Sequence, residues 1–505
     1  MNVSQWLYKR SLFSPEKIAI IFNEKILTYL ELNQRVNRLS QALLKLGLQP
    51  GDRVGIISRN NLEFLEVYFA CAKTGLIFVP LNFRLAPPEL AFQLMDSGLL
   101  VLFVDPEQQS LIEQSLPLLS GDNPLLIFFG QPSSSGSTFY EALIQDHTVQ
   151  EPASSEETVS RDAAQMIMYT SGTTGRPKGV LLSHQKTLFN TLNAQIFFDL
   201  CAQDTMLVVM PLFHSGALNI MSIPTLYAGG TIILRPRFIP QEFLGLIEQH
   251  KVTQSLLVPS MLKTLLKEAR PENHDLTSLR TLLVGGEPVS PDLMHQALDL
   301  GLPVRQIFGQ TESSILLWVP SEKAREKAGA GGLPVFHGEV KVVNPEGQRV
   351  SPGEIGEIIV KGPIQMMGYW NAPEETRKII KAGWLYTGDL GRIDEEGFVY
   401  VVDRKKDMYI SGGENVYPAE VERALLTHPK IREAAVIGIP DEKWGSVGKA
   451  FLCLNKAETL NYEELVLFLK GRIASYKIPK SMEVFDELPK TASGKIKKKN
   501  LTKDI

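Results

Sequence analysis

The sequence predicts an α/β protein. The expected architecture is a large N-terminal domain of layered α/β subdomains plus a small β-barrel-like unit, hinged to a small α+β C-terminal domain. Three observations carry this. The chain has 505 residues, and at roughly 100–200 residues per domain it holds more than one. Amphipathic helices alternate with short buried strands through its first several hundred residues, the pattern of a layered α/β fold. The texture then changes twice, at about Gly331 and after the charged connector "VVDRKKD". An apolar content of 44% and a charged content of 21% are ordinary for a globular protein. The net charge of -4 gives no reason to expect nucleic acid or an anionic membrane surface as partner. No window approaches the ~18 continuous apolar residues of a membrane span. The opening "MNVSQWLYKRSLFSPEK" has no apolar signal core. Cys71, Cys201 and Cys453 lack metal-ligand spacing and read as reduced thiols. A cytoplasmic location is expected, with a homodimer left open.

Taken in order, Thr28 with Glu31 three residues on predicts a capped helix start, and helical spacing runs to Gly47 before the strand "RVGIIS". "NLEFLEVYFACAKTG" and "IFVPLN" repeat the helix–strand pattern. "PSSSGST", Pro132 to Thr138, and "EPASSEE", near Glu151, read as surface loops. "AAQMIMY" and "GVLLS" are buried-strand patterns joined by a loop, and Ser183 is the N-cap of the helix "QKTLFNTLNAQ". From about Gly331, "HGEVKVVNPEGQRVSPGEIGEIIVKG" alternates apolar and polar residues between turns, predicting an antiparallel or barrel-like unit over about 331–402. The end of the chain carries the helix "YPAEVERALLTH", the strand "EAAVIGI" and a Lys-rich tail. The expected division is 1–405 for the N-terminal domain, and 406–505 for a mobile C-terminal domain.

The loop "YTSGTTGRPKGV", Tyr169 to Val180, has the composition of a phosphate cradle. Gly172 and Gly175 let main-chain N–H groups turn inward as an anion nest. Thr170, Ser171, Thr173 and Thr174 add hydroxyl donors, and Lys178 adds a mobile cation. It joins two strands, and Lys178 is followed by Gly179, so it is not a Walker A loop.

The full string resembles the phosphate loop of the adenylate-forming superfamily: acyl- and aryl-CoA ligases, luciferases and the adenylation domains of peptide synthetases. Further stretches resemble its other motifs, in family order across nearly the whole chain: "LTYLEL", "AKTGLIFVPLN", "VGGEPVS", "FGQTES", "GEIIVKGPIQMMGYW", "YTGDLG", "DRKKDMYISGGENVYPAEVE" and "PKTASGKIKK". The resemblance implies two half-reactions. A carboxylate attacks the α-phosphorus of ATP to give acyl-AMP and pyrophosphate. The C-terminal domain then rotates, and the thiol of CoA takes the acyl group and expels AMP. It further implies that Lys495 bridges carboxylate and α-phosphate, that Thr311 donates to the α-phosphate and that Glu312 holds Mg²⁺. Mg²⁺ keeps most of its waters, so one carboxylate plus phosphate oxygens suffices.

By the same resemblance, Asp389 accepts both ribose hydroxyls, with Arg404 beside the ribose. Gly285, Gly286 and Glu287 present backbone to the purine. Phe308, followed by Gly309, stands where the family usually has Tyr and would stack on adenine without the hydroxyl; Gln306 likewise replaces the commoner Asn. Lys406 falls at the hinge position. Gly412 and Gly413 leave room for pantetheine, with Glu420 supporting that loop.

His214 in "MPLFHSGALNIM" stands where amino-acid-activating members carry Asp, so a substrate ammonium would lack its counter-charge. The resemblance places this His beside the substrate carboxylate of acyl- and aryl-CoA ligases. Gly216, Ala217 and Gly229, with Ile315, Leu316, Leu317 and Trp318, read as an apolar pocket wall. The favoured acid is therefore a medium- or long-chain fatty acid. The alternatives are an aryl acid such as a cinnamate or benzoate, a dicarboxylic acid met by Arg235 or Arg237, or transfer from acyl-AMP to a carrier protein.

Overall fold

The computed structural model describes residues 3–130, 138–152, 159–170, 177–287, 289–411, 414–442, 444–490 and 496–502. The chain gathers into two compact units. The first runs up to Val340 and includes Val360–Leu385; the second joins Lys341–Ile359 to the residues from Tyr386 onward.

The first unit holds two mixed sheets. One has nine strands, in the spatial order Leu333–Pro334, Ser314–Trp318, Val304–Gln310, Thr281–Val284, Gln254–Leu257, Thr205–Val208, Thr231–Leu234, Ile18–Phe22 and Lys25–Thr28. Neighbours from Val304–Gln310 through Ile18–Phe22 run parallel. Such strands are covered on both faces, which is why "TLLV" and "QSLL" are buried without alternation. Helices Pro240–His250, Pro259–Glu268 and Pro291–Asp299 each begin on proline, where the missing N–H costs nothing. Their Phe243, Ile247, Leu262, Leu265 and Met294 pack with Leu207, Ile233, Leu257 and Leu282 of the sheet.

The other sheet has eight strands, in the order Gly368–Tyr369, Lys178–Ser183, Ala164–Thr170, Ile77–Leu81, Arg53–Ile57, Val101–Val104, Leu125–Phe128 and Thr138–Phe139. The expected helix starts are present. Thr28 and Glu31 form a reciprocal capping box on Tyr29–Lys45, and the Ser183 hydroxyl accepts from Lys186 N at the head of His184–Phe198.

In a further sheet, most of whose residues belong to the second unit, the strand Ile355–Lys361 lies between Glu339–Val343 and Trp384–Ile393, and Val399–Arg404 pairs antiparallel with the last of these. This is the expected β-rich region, a half-barrel sheet. A second sheet follows, built on the long hairpin Ile431–Asp441 and Gly445–Leu454. The helices Pro418–Leu426 and Tyr462–Leu469 pack Val421, Leu425, Leu465 and Leu469 onto its Val436, Ala450 and Leu452. The division expected after residue 405 falls within this second unit. Cys71, Cys201 and Cys453 are free thiols, the first and last of them buried. No helix of the described residues is long and apolar enough to cross a membrane.

Candidate active site

In the open parallel sheet of the first unit, the strand ends that feed the loops are the C-terminal ones, where such sheets place their ligands. Gly285, Gly286 and Glu287 follow Thr281–Val284 there, and Phe308 and Gly309 close Val304–Gln310. Gly285 is buried against its neighbour: a Cβ on it would meet Ile307 O at 2.6 Å. Thr311 and Glu312 sit in the tight turn between Val304–Gln310 and the antiparallel Ser314–Trp318. That turn needs glycine at 309, where a Cβ would lie 2.0 Å from Ser314 O, while Ser314 itself takes a left-handed φ of 59°.

The phosphate-loop residues Thr170 and Lys178 face each other as the last and first residues of paired antiparallel strands. The loop therefore joins two strands, as its sequence predicts. Ser171, Gly172, Thr173, Thr174 and Gly175 lie outside the described residues, as do Gly412, Gly413 and Lys495.

The short strand Gly368–Tyr369 pairs antiparallel with Lys178–Ser183, and this brings together residues that the sequence motifs leave far apart. Lys178 Nζ lies 4.9 Å from the Tyr369 ring centroid and 2.6 Å from Glu375 Oε2. The Tyr369 hydroxyl donates to Glu312 Oε1 at 3.0 Å, and Met366 N donates to Glu312 O at 2.7 Å. Glu312 is thus fixed through both backbone and side chain. Its half-buried carboxylate offers the hard oxygen donor that Mg²⁺ takes, and the described residues contain no cluster of three or more His, Cys, Asp or Glu that would hold a metal by itself.

Behind His214 the chain forms a π-helical segment, Gly216–Ser222, a distortion frequent at functional sites. The His214 ring is tilted against Phe213 at 4.2 Å between centroids. Asn219, in this segment, is 2% exposed, and its Oδ1 finds no hydrogen-bond partner among the described residues; the same holds for Ser313 Oγ. Asn190 Nδ2 donates to Asn219 O at 2.5 Å. Lys186, one turn before Asn190 on the same helix, is 1% exposed and donates to Ser314 Oγ. Burial pushes its pKa down to about 7, although the Glu312 charge raises it. Ala217, Ile315, Leu316 and Leu317, read from sequence as part of a pocket wall, are buried, and so are Asn219 and Lys186, which sequence reasoning missed.

Arg235 pairs with Glu242 at 3.1 Å. Arg237 lines a cleft of about 540 Å³ together with Arg59, Arg84 and Phe83. The guanidiniums of Arg59 and Arg84 lie 5.6 and 5.3 Å from the Phe83 ring centroid, and burial and then Arg59 lower the pKa of Arg84.

In the second unit, Asp389 and Arg404 are register partners on adjacent strands. Arg404 Nε lies 2.6 Å from Asp389 Oδ1, and the carboxylate is 2% exposed. Lys406 follows in an exposed turn whose Asp407 N donates to Arg404 O at 3.0 Å. Glu420 is held by Lys477 Nζ at 2.7 Å.

The pattern of the family described as AMP-binding enzyme matches residues 9–370, and that of the AMP-binding enzyme C-terminal domain matches residues 420–495. Feruloyl-CoA synthase of Amycolatopsis sp is 42% identical, covering 98% of each chain. Indoleacetate–CoA ligase of Aromatoleum aromaticum is 40% identical over 99% of this chain and 97% of its own. The o-succinylbenzoate CoA synthetase of Bacillus subtilis, solved with its acyl-adenylate intermediate, superposes with a TM-score of 0.88 at 35% identity, covering 99% of this chain and 98% of that one. Solved with ATP and magnesium ion, the same enzyme gives a TM-score of 0.86 at 35% identity over 97% and 98%.

Proposed function

The chain belongs to the AMP-binding enzyme family and is an AMP-forming acid–CoA ligase using ATP, Mg²⁺ and CoA, and we propose that the acid it activates is an aryl acid carrying a polar group. The observation that carries this is the buried Asn219 Oδ1, in the π-helical segment that follows His214, without a hydrogen-bond partner among the described residues. An alkyl chain would leave this oxygen desolvated and unpaired, at roughly 1–3 kcal/mol. A ring with a hydroxyl, ring N–H or similar donor pairs it. The relatives named for ferulate, indoleacetate and o-succinylbenzoate support the aryl reading over the fatty-acid expectation.

The residues divide the work as follows. Thr170, Lys178 and the loop between them bind the outer phosphates of ATP. Thr311 donates to the α-phosphate, and Glu312 would hold magnesium, whose charge offsets that of the phosphates when bound. Backbone at Gly285, Gly286 and Glu287 borders the purine, and the half-buried Phe308 ring stacks on it. Asp389, held by Arg404, accepts the ribose diol. His214 orients the attacking carboxylate, and Lys495 stabilises the charge that develops as pyrophosphate leaves. Lys406 is the pivot for the second half-reaction, in which the CoA sulfur attacks the acyl carbonyl and AMP departs. The Arg59–Arg84–Arg237 cleft takes the phosphates of CoA, because three guanidiniums in one cleft favour a polyanion.

The test is thioester formation by the purified enzyme with ATP, Mg²⁺ and CoA on cinnamates, arylacetates, acylbenzoates and fatty acids of graded length, read by mass spectrometry. Aryl-CoA products should dominate. A fatty acyl-CoA as the main product would overturn the aryl reading, and acyl-AMP that persists in the presence of CoA would point to a carrier-protein acceptor.

A further inference from the structure

Lys178 already has an anionic partner on its own chain. Glu375 Oε2 lies 2.6 Å from its Nζ, and the other carboxylate oxygen accepts from Lys378 Nζ. The two hydrogen bonds, that from Lys178 foremost, draw the carboxyl of Glu375 down to about 2. The geometry is built in. Helix Pro373–Ile379 follows directly on the strand that carries Tyr369, and Tyr369 N donates to Thr376 Oγ1 at 2.8 Å. Gly368, at φ 152°, brings the backbone against Thr376, whose Cγ2 would lie 2.9 Å from any added Cβ. The carboxylate is therefore shared between a phosphate-loop lysine with 15% of its side chain exposed and a lysine with 68% exposed.

We propose that Glu375 is an internal competitor of ATP for Lys178: it holds the ammonium beside Tyr369, yields it to the triphosphate, and takes it back as pyrophosphate departs. The inference rests on the assignment of Lys178 to the phosphates. The exchange is balanced in charge. One Lys178–carboxylate pair breaks as one Lys178–phosphate pair forms, and Glu375 keeps Lys378, so no carboxylate is left alone beside the incoming anion.

The two partners of Glu375 predict opposite signs. Without its charge, ATP and pyrophosphate both gain Lys178 uncontested. Without Lys378, the whole carboxylate charge acts on Lys178 and ATP has more to displace. A helix that merely supports the loop would shift both variants the same way. Pairs this exposed are screened by water, so effects of about two- to five-fold are expected.

The experiment is ATP–pyrophosphate exchange by the full-length enzyme, giving the KM for ATP and the inhibition constant of pyrophosphate, with calorimetric titration of ATP alone as a binding readout. Glu375→Gln should lower the KM, the Kd for ATP and the pyrophosphate inhibition constant together. Lys378→Met should raise the KM. An unchanged or raised KM in Glu375→Gln, or shifts of one sign in both variants, overturns the proposal. Lys178→Ala separates the two levels of inference. If it leaves ATP affinity intact, the assignment of Lys178 to the phosphates fails as well, whereas a loss of affinity alongside a silent Glu375→Gln leaves that assignment standing and removes only the competitor.

Discussion

At the scale of residues, Asp389 shows how much a motif discloses and how much it leaves out. The string "YTGDLG" identifies the aspartate, but nothing in it says that the carboxylate is 2% exposed and paired with Arg404 across a strand register. A buried carboxylate that accepts hydroxyl donors makes charge-assisted hydrogen bonds, so Asp389→Ala should lower kcat/KM for ATP by roughly 10- to 100-fold. Steady-state kinetics at saturating acid checks this, and an unchanged value would remove Asp389 from the nucleotide site. The proposal for Thr170, Thr311, Glu312 and His214 comes in the same way from residue type and motif position. Tyr369 lies inside a motif string that gives it no task, Lys186 lies inside the helix that Ser183 caps, and Glu375 lies outside every motif. Lys178 and Glu375 are 197 residues apart in sequence, and only the pairing of Gly368–Tyr369 with Lys178–Ser183 makes them neighbours. Lys186 was hidden by its type, because lysine in a helix reads as solvated until burial is known.

At the scale of elements, the helix His184–Phe198 carries two buried basic groups in its first turn. Burial pushes the His184 imidazole down to about 4 and the Lys186 ammonium down to about 7. The unfolded values are about 6.5 and 10.4. Between pH 4 and 6.5 the unfolded chain takes up a proton that native His184 refuses, so stability falls as pH falls through that window. Between pH 7 and about 10.4 the unfolded chain holds a proton that native Lys186 releases, so stability rises with pH there. Lys186→Met should therefore stabilise the protein at pH 6.5, by about 2–4 kcal/mol, and the gain should shrink toward zero by pH 10. Calorimetric melts at the two pH values check this, and a gain independent of pH would mean that packing rather than charge is responsible. Caps and strands were the most legible elements, because Thr28 with Glu31 and Ser183 act through residues three apart. The π-helical Gly216–Ser222 was not, because its extra residue per turn leaves no mark on an already apolar stretch.

At the scale of the whole molecule, the two half-reactions assign separable tasks. Lys495→Ala should reduce adenylation while sparing thioester formation from supplied acyl-AMP, and equal loss in both half-reactions would refute its role. Lys406→Pro should keep pyrophosphate release but stop transfer to CoA, since the exposed turn at 405–407 would lose its torsional freedom. Normal transfer in that variant would sink the pivot. The change of texture near Gly331 announced a β-rich region, but alternating polarity does not say which neighbours its strands will choose. The second unit takes Lys341–Ile359 from before the stretch Val360–Leu385, which belongs to the first. The chain thus passes between the units three times, and this matters to anyone who would recombine it with a relative. No single splice point exchanges one unit for another. A crossover at residue 405 would hand over the long hairpin and its helices while leaving Asp389 and Arg404 with the parent, so such hybrids would inherit that ion pair from one ancestor and their Lys495 from the other.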